Sequence, residues 1–285
     1  MLNVKQIKSI LREYNIRPSK RFGQNFLIDK NIQKKIIASA RIENEDVVFE
    51  IGPGLGALTS GLCRAAKKVI AIEKDKRLHE FLLQSSSFEK LELMQGDVLK
   101  HDFSKYSKIK VMGNLPYYIS SPILIHLLKN RSFISSIFIT VQREFAERLV
   151  AKPCTRDYSS ISCFTQFYAE PKILFKIKKT AFYPAPKVDS CFLKIGIRNQ
   201  GLYPMRKSSI SHGACLTNEE KLFKIVRSSF EKRRKTILNS LAANGDFGSK
   251  QELSERLSEA GISPDRRPET ISLEEFVKLV TVTKG

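Results

Sequence analysis

The sequence predicts an α/β chain, a mostly parallel sheet wound with helices and followed by a small helical domain. Two observations predict it. Five short apolar, β-branched runs, "DVVFEI", "KVIAIE", "LELMQ", "IKVMGN" and "SIFITV", alternate with segments of helical spacing such as Leu78, Phe81 and Leu82. Strands nearly continuous in apolarity belong to a parallel sheet covered on both faces. After Ile195 the texture changes: "RNQGLYPMRKSSISHGA" is polar and glycine-containing, a linker by composition, and the remainder is helical. A boundary is therefore expected at 197/198, dividing the chain into 1–197 and 198–285.

In chain order, Val4 to Tyr14 has the spacing of a short amphipathic helix. The basic loop "PSKRFGQNFLID" then leads into a helix near Lys30 to Arg41. The five strands follow, and two further runs, "KILFKIK" and "SCFLKI", lie either side of the proline-rich "KTAFYPAPKVD". That return predicts an antiparallel edge, which brings the sheet to seven strands. In the last part Phe223, Val226, Phe230, Ile237 and Leu241 fall near one helical face. Thr217 with Glu220, and Ser272 with Glu275, have capping-box spacing.

Charge narrows the partner. Against 29 Asp and Glu the chain carries 49 Lys and Arg, a net +20 spread over 285 residues, which makes nucleic acid the leading partner class. No uninterrupted apolar run approaches the roughly 18 residues a membrane span needs, and no basic amphipathic helix carries a Trp anchor. The five cysteines include no CxxC pair and the four histidines are scattered, so neither a disulfide framework nor a metal site is expected and a cytoplasmic setting is the economical one. The N-terminal residues are broken by Lys and Arg too often to form the apolar stretch of a secretory signal.

The chemistry begins at "FEIGPGLGALT", where Gly52, Gly54 and Gly56 follow the first sheet strand and precede a helix. Glycines there bring backbone N–H groups close to a ligand. Alone, the spacing fits a dinucleotide loop or a merely tight βα turn. Glu73, at the end of the second strand, is placed to accept from both hydroxyls of a ribose. Asp97 ends the third strand beside Val98 and Leu99, an acid for an exocyclic amine next to apolar walls for a ring. No histidine suited to hydride chemistry follows, since His126 sits in an apolar helical run. An adenosine-shaped site without hydride chemistry points to S-adenosylmethionine.

"GNLPYY" explains what would be transferred, and to what. The lone pair of an exocyclic adenine amine is delocalised into its ring, and two carbonyl acceptors for its hydrogens draw it toward tetrahedral geometry. Asn114 Oδ1 and the backbone carbonyl of Leu115 are the expected pair, with Pro116 setting φ and Tyr117 stacking on the base. A base reached by extrusion needs a surface on each side, and Phe182 is the expected second face. Taken singly, either aromatic is more ordinarily a packing residue.

Together these residues resemble the KsgA-type small-subunit ribosomal RNA adenine dimethyltransferases. The motifs "FGQNFL", "EIGPGLGALT", "IEKD", "GDVL", "NLPYYISSPIL", "VQREFAERLVAKP", "FYPAPKVDS", "FEKRRKTILNSL" and "GISPDRRPETISLEEF" carry the resemblance from about Lys20 to Val280. It implies a Rossmann-like S-adenosylmethionine-dependent methyltransferase domain and a helical RNA- or ribosome-binding domain. The implied reaction is N6,N6-dimethylation of two adjacent adenosines near the 3′ end of small-subunit rRNA, by a monomer acting on the immature subunit. The implied cofactor contacts are Asn25, Leu27, Gly52, Glu73, Asp97 and Asn114, and the implied catalytic set is Asn114, Leu115, Pro116, Tyr117 and Phe182. Arg233, Arg234 and Lys235, expected on a helix above an apolar face, would meet RNA phosphates. Tyr118 departs from the family pattern, which often has Asn there, as do Cys154 and Ser159 where Gly is frequent. Two rivals stay open: a large-subunit rRNA adenine methyltransferase of the antibiotic-resistance type, and a non-catalytic nucleic-acid-binding assembly factor.

Overall fold

A computed structural model describes residues 2–16, 24–85, 88–198, 217–232 and 234–282. The strands in chain order are β1 (Phe26–Leu27), β2 (Val47–Ile51), β3 (Lys68–Glu73), β4 (Leu91–Gln95), β5 (Ile109–Asn114), β6 (Ile134–Gln142), β7 (Ala169–Ile177), β8 (Phe182–Tyr183) and β9 (Ser190–Ile197). The helices are α1 (Val4–Glu13), α2 (Lys30–Ala40), α3 (Thr59–Ala65), α4 (Lys76–Ser85), α5 (Ser120–Lys129), α6 (Arg143–Val150), α7 (Ser160–Tyr168), α8 (Asn218–Phe230), α9 (Ile237–Ala242), α10 (Lys250–Glu259) and α11 (Leu273–Val282).

Seven strands form one sheet in the order β4-β3-β2-β5-β6-β9-β7. Neighbours from β4 across to β6 pair in parallel, and β9 runs antiparallel to β6 over Ser136–Gln142. The order reverses at β2, where β3 lies on one side and β5 on the other, so the carboxyl ends of these three strands open a crevice between them. The central strands are buried on both faces, as their apolar runs require, whereas β4 at the edge is half-exposed along its length. Strand β1 pairs instead with β8, with Leu27 opposite Phe182, and so ties the N-terminal loop to the proline-rich return. Under the sheet Ile36, Val48, Leu58, Leu62, Val69, Met112, Phe138 and Phe192 form a buried cluster.

By its contacts the chain divides into two units, residues 1–146 with 170–197, and residues 147–169 with 198–285. The segment 147–169, which the sequence assigns to the first part, packs with the C-terminal helices. Phe164 and Phe167 of α7 meet Phe223 of α8 at ring-centre distances of 4.7 and 5.4 Å. Both expected capping boxes are formed, at Thr217/Glu220 and Ser272/Glu275, and others stand at Asn3/Gln6 and Ser249/Glu252.

One expectation fails here. The apolar series from Phe223 to Leu241 does not lie on a single helix, because α8 stops at Phe230 and Thr236 caps a new helix, its hydroxyl accepting from the Asn239 amide. Arg234 and Lys235 therefore sit exposed in the turn between α8 and α9, not on a helix, and Arg233 lies outside the described residues. Apart from Arg198, the expected linker also lies outside them. Among the described residues no helix is long and apolar enough to cross a membrane.

Candidate active site

A cavity of about 490 Å³ opens at the carboxyl ends of β2, β3 and β5. All six expected cofactor contacts, Asn25, Leu27, Gly52, Glu73, Asp97 and Asn114, line it. Three glycines make its floor possible. Gly52, Gly54 and Gly56 have φ of 65°, 60° and 79°, a region closed to most side-chain-bearing residues, so the chain can fold tightly from β2 into α3. At the neighbouring strand end the constraint is space. A Cβ on Gly113 would lie 2.8 Å from the backbone oxygen of Ile51, its partner across the β2–β5 ladder.

The acids are held in distinct ways. Glu73 is buried at the end of β3, where its carboxylate accepts from the amides of Gly54 at 3.1 Å and Asp75 at 2.9 Å. Burial nonetheless pushes its pKa up to about 7. Asp97 accepts from the Leu99 amide at 3.0 Å and pairs with the Lys74 ammonium at 2.7 Å. Burial pushes its carboxyl up, but Lys74 and the Leu99 amide outweigh this and hold it below the ordinary value. On β2, the strand next to the one that ends in Glu73, stands Glu50, which no sequence signal marks, because a lone acid in "DVVFEI" has no spacing signature. It is 1% exposed, lines the cavity, and its Oε2 has no hydrogen-bond partner among the described residues. Burial, reinforced by the charge of Glu73, pushes Glu50 up to about 8.

Asn114 is fixed across a long span of sequence. Its Nδ2 donates to the backbone carbonyl of Asn25 at 2.8 Å, which leaves Oδ1 buried and without a donor among the described residues. Pro116 follows with φ of −59°, and its carbonyl accepts from Ser120 Oγ at 3.1 Å, which stiffens the turn into α5. Leu115 and Tyr117 belong to this turn but their side chains do not line the cavity. Leu115 is buried, and the hydroxyl of half-buried Tyr117 is 2.6 Å from Ser190 Oγ. Tyr118 is the tyrosine that lines the cavity from this turn.

Phe182 corrects an expectation. Its ring is 3% exposed and packs in the core cluster with Leu27, Ile177 and Ala181, because the β1–β8 pairing draws it under the sheet. It offers no free face to a base. His126 belongs to α5. It lies outside the cavity, with Nε2 3.2 Å from the carbonyl oxygen of His101 and its ring against Phe103.

One wall has no counterpart in the sequence motifs. Leu2, Gln6 and Ile7, in and just before α1, line the cavity beside Leu78, Phe81 and Leu82 of α4. Tyr14 anchors that helix, its ring 5.3 Å from Phe81 and its hydroxyl donating to Gln84 at 2.9 Å. Two orphaned acceptors, Glu50 Oε2 and Asn114 Oδ1, on a cavity with a glycine floor and two further carboxylates, fit a cationic adenosine-bearing cofactor and an amine to be modified. Among the described residues no cluster of His, Cys, Asp and Glu is built to hold a metal.

Known proteins resemble the chain closely. The family described as "Ribosomal RNA adenine dimethylase" matches residues 15–284. The chain is 40% identical to a protein named ribosomal RNA small subunit methyltransferase A of Pelotomaculum thermopropionicum, over 96% of this chain and 94% of that one. A protein of the same name in Moorella thermoacetica is also 40% identical, over 95% and 94%. Among solved structures, a dimethyladenosine transferase from Plasmodium falciparum is 28% identical with a TM-score of 0.71, over 89% of this chain and 95% of that one. The 23S rRNA methyltransferase ErmE, 24% identical, shares the fold with a TM-score of 0.65 over 90% and 99%. The chain therefore belongs to the ribosomal RNA adenine dimethylase family, enzymes that draw their methyl groups from S-adenosylmethionine.

Proposed function

We propose that the protein transfers methyl groups to N6 of adenosines in small-subunit rRNA, dimethylating two adjacent adenosines near the 3′ end as a monomer in the cytoplasm, on the immature subunit. The observation that carries the chemistry is the orphaned Oδ1 of Asn114, an acceptor held in place by the bond of its Nδ2 to Asn25. The relatives at 40% identity, named for the small subunit, support the choice of RNA.

When bound, S-adenosylmethionine supplies an electrophilic methyl group and a positive charge. The residues around it divide the work. Glu73 accepts from the ribose hydroxyls, Asp97 from the adenine amine, and Gly52, Asn25 and Leu27 shape the walls. Asn114 Oδ1 and the Leu115 carbonyl accept from the target amine, drawing its lone pair out of the ring, while Pro116 sets the angle between them and Tyr117 braces the turn. No strong base is needed, since the amine becomes acidic as it gains a methyl group and loses its proton afterward to water.

The C-terminal unit is assigned to RNA binding. Arg234 and Lys235, exposed between α8 and α9, position phosphates without reading sequence. The test is incubation of purified protein with radiolabelled S-adenosylmethionine and, separately, immature small subunits and large subunits. Label confined to small-subunit rRNA is expected. Label in large-subunit rRNA, or none in either, overturns the proposal.

A further inference from the structure

Helix α1 is too short to stand alone, since an isolated helix of 10 residues is marginal in water, and its order depends on what it packs against. The capping box of Asn3 with Gln6 fixes its first turn, and Ile7 and Leu11, four residues apart, are buried on one face. That face joins a core cluster with Phe26, Leu55, Phe81 and Leu82. Further ties hold the far end: the Tyr14 ring lies edge-on to Phe81, its hydroxyl donates to Gln84, and the Arg77 guanidinium donates to the carbonyl of Asn15. Leu55 links this cluster to the site. In the turn after β2 it stands between glycines with φ of 60° and 79°, and the amide of Gly54 donates to the Glu73 carboxylate at 3.1 Å.

We infer that α1 is a positioning element of the cofactor site, in which Ile7 seats Leu55 so that the glycine turn and the Glu73 carboxylate are set before S-adenosylmethionine arrives. The inference rests on the proposed cofactor contacts at Gly52 and Glu73 and deepens them. A turn built on three glycines has wide backbone freedom, and a ligand that must order it loses affinity to that ordering. Burial of Leu55 beside α1 restrains the turn in the ligand-free protein, because a leucine sunk in a packed cluster cannot leave without opening a cavity. The Gly54 amide then stays on Glu73 and aims the acid that accepts from the ribose. The helix also closes the adjoining side of the cavity, where Leu2, Gln6 and Ile7 line it. Affinity and residence of the cofactor are thus set in part by a helix that takes no part in methyl transfer.

The test compares wild type with Ile7→Ala, Ile7→Val, Tyr14→Ala and Tyr14→Phe, with Glu73→Ala as a control. Calorimetry gives S-adenosylmethionine affinity without any need for transfer, stopped-flow displacement gives its dissociation rate, and transfer to immature small subunits separates the cofactor KM from kcat and from the RNA KM. Ile7→Ala and Tyr14→Ala should each weaken cofactor binding roughly tenfold, mainly through faster dissociation. The kcat at saturating cofactor and the RNA KM should change less than about threefold, a split that general unfolding would not produce. Ile7→Val and Tyr14→Phe, which keep the packing, should bind cofactor within about threefold of wild type. Should Ile7→Ala fail to fold, the two variants of half-buried Tyr14 decide the matter. Cofactor affinity and dissociation unchanged in the alanine variants overturn the inference, as does a loss of kcat and RNA affinity as large as the loss of cofactor affinity. Glu73→Ala binding cofactor like wild type would count against the proposed cofactor site itself, and the inference would fall with it, whereas a weakened Glu73→Ala beside unaffected α1 variants overturns the inference alone.

Discussion

The side chain of Asn114 is clamped by a backbone carbonyl distant in sequence, its Nδ2 donating to Asn25 O at 2.8 Å. That bond orients the amide so that Oδ1, with no donor of its own among the described residues, faces the work of the site. An acceptor left buried and unmet is costly in a resting protein, and under the proposed mechanism the target amine would meet it.

Asn114→Ala should lower kcat by roughly 10²- to 10³-fold, the scale on which a preorganised polar group acts at a reacting centre. RNA affinity, measured by filter binding, should change less than about threefold, because phosphate contacts elsewhere dominate it. Equal loss of both would make the residue structural.

Glu73→Ala removes the carboxylate that the Gly54 and Asp75 amides hold in position. Calorimetry should show S-adenosylmethionine binding weakened roughly 10- to 100-fold, as for hydrogen bonds to a charged group. Unchanged affinity would remove Glu73 from the site.

Two buried carboxyls set a pH dependence. Burial raises Glu50 to about 8 and Glu73 to about 7, each above its ordinary value of 4.5. An acid whose folded pKa is raised leaves the fold at full stability below its unfolded pKa, and stability is then lost as pH climbs from there through the folded value. The Tm of the cofactor-free protein should therefore fall between about pH 5 and about pH 8, and Glu50→Gln should flatten the fall. A wild-type Tm constant over that range, or a Glu50→Gln profile parallel to wild type, would show that the two acids do not carry it.

Gly113→Ala places a methyl group 2.8 Å from Ile51 O, in the middle of a backbone ladder that cannot yield like a side chain. A cost of about 1–3 kcal/mol is expected, as for other overpacking substitutions, together with loss of transfer because the Asn114 clamp moves with the strand end. Thermal denaturation unchanged from wild type would contradict it.

Double substitution of Arg234 and Lys235 by Ala should weaken RNA binding and make the slope of log affinity against log salt shallower, by about one for each phosphate no longer neutralised. A slope identical to wild type would leave those side chains as a solvated turn.

Much of the fold and the site is legible in the sequence, for reasons that particular residues make clear. The parallel sheet follows from continuous apolar runs such as "KVIAIE", and the cofactor side of the site from local relations, a glycine turn and acids that end successive strands. Long-range packing is what local pattern does not convey. The pairing of Leu27 with Phe182 hides an aromatic that motif position alone puts in the site, and α1 closes a wall through contacts with Phe81 that no spacing encodes. The break at Thr236 escapes the periodicity because the apolar series runs on in phase across it, and only the capping hydroxyl marks the new helix. Glu50 gives no signal in the sequence because burial, not neighbouring residue types, makes this acid chemically distinct.

The central claim, that these residues dimethylate adenosine N6 in small-subunit rRNA, is tested most directly by mass-spectrometric mapping of RNA from immature small subunits incubated with the protein and S-adenosylmethionine. N6,N6-dimethyladenosine at two adjacent positions near the 3′ end is the predicted result. Modification at any other base or atom, or small-subunit rRNA left unmodified, would contradict it.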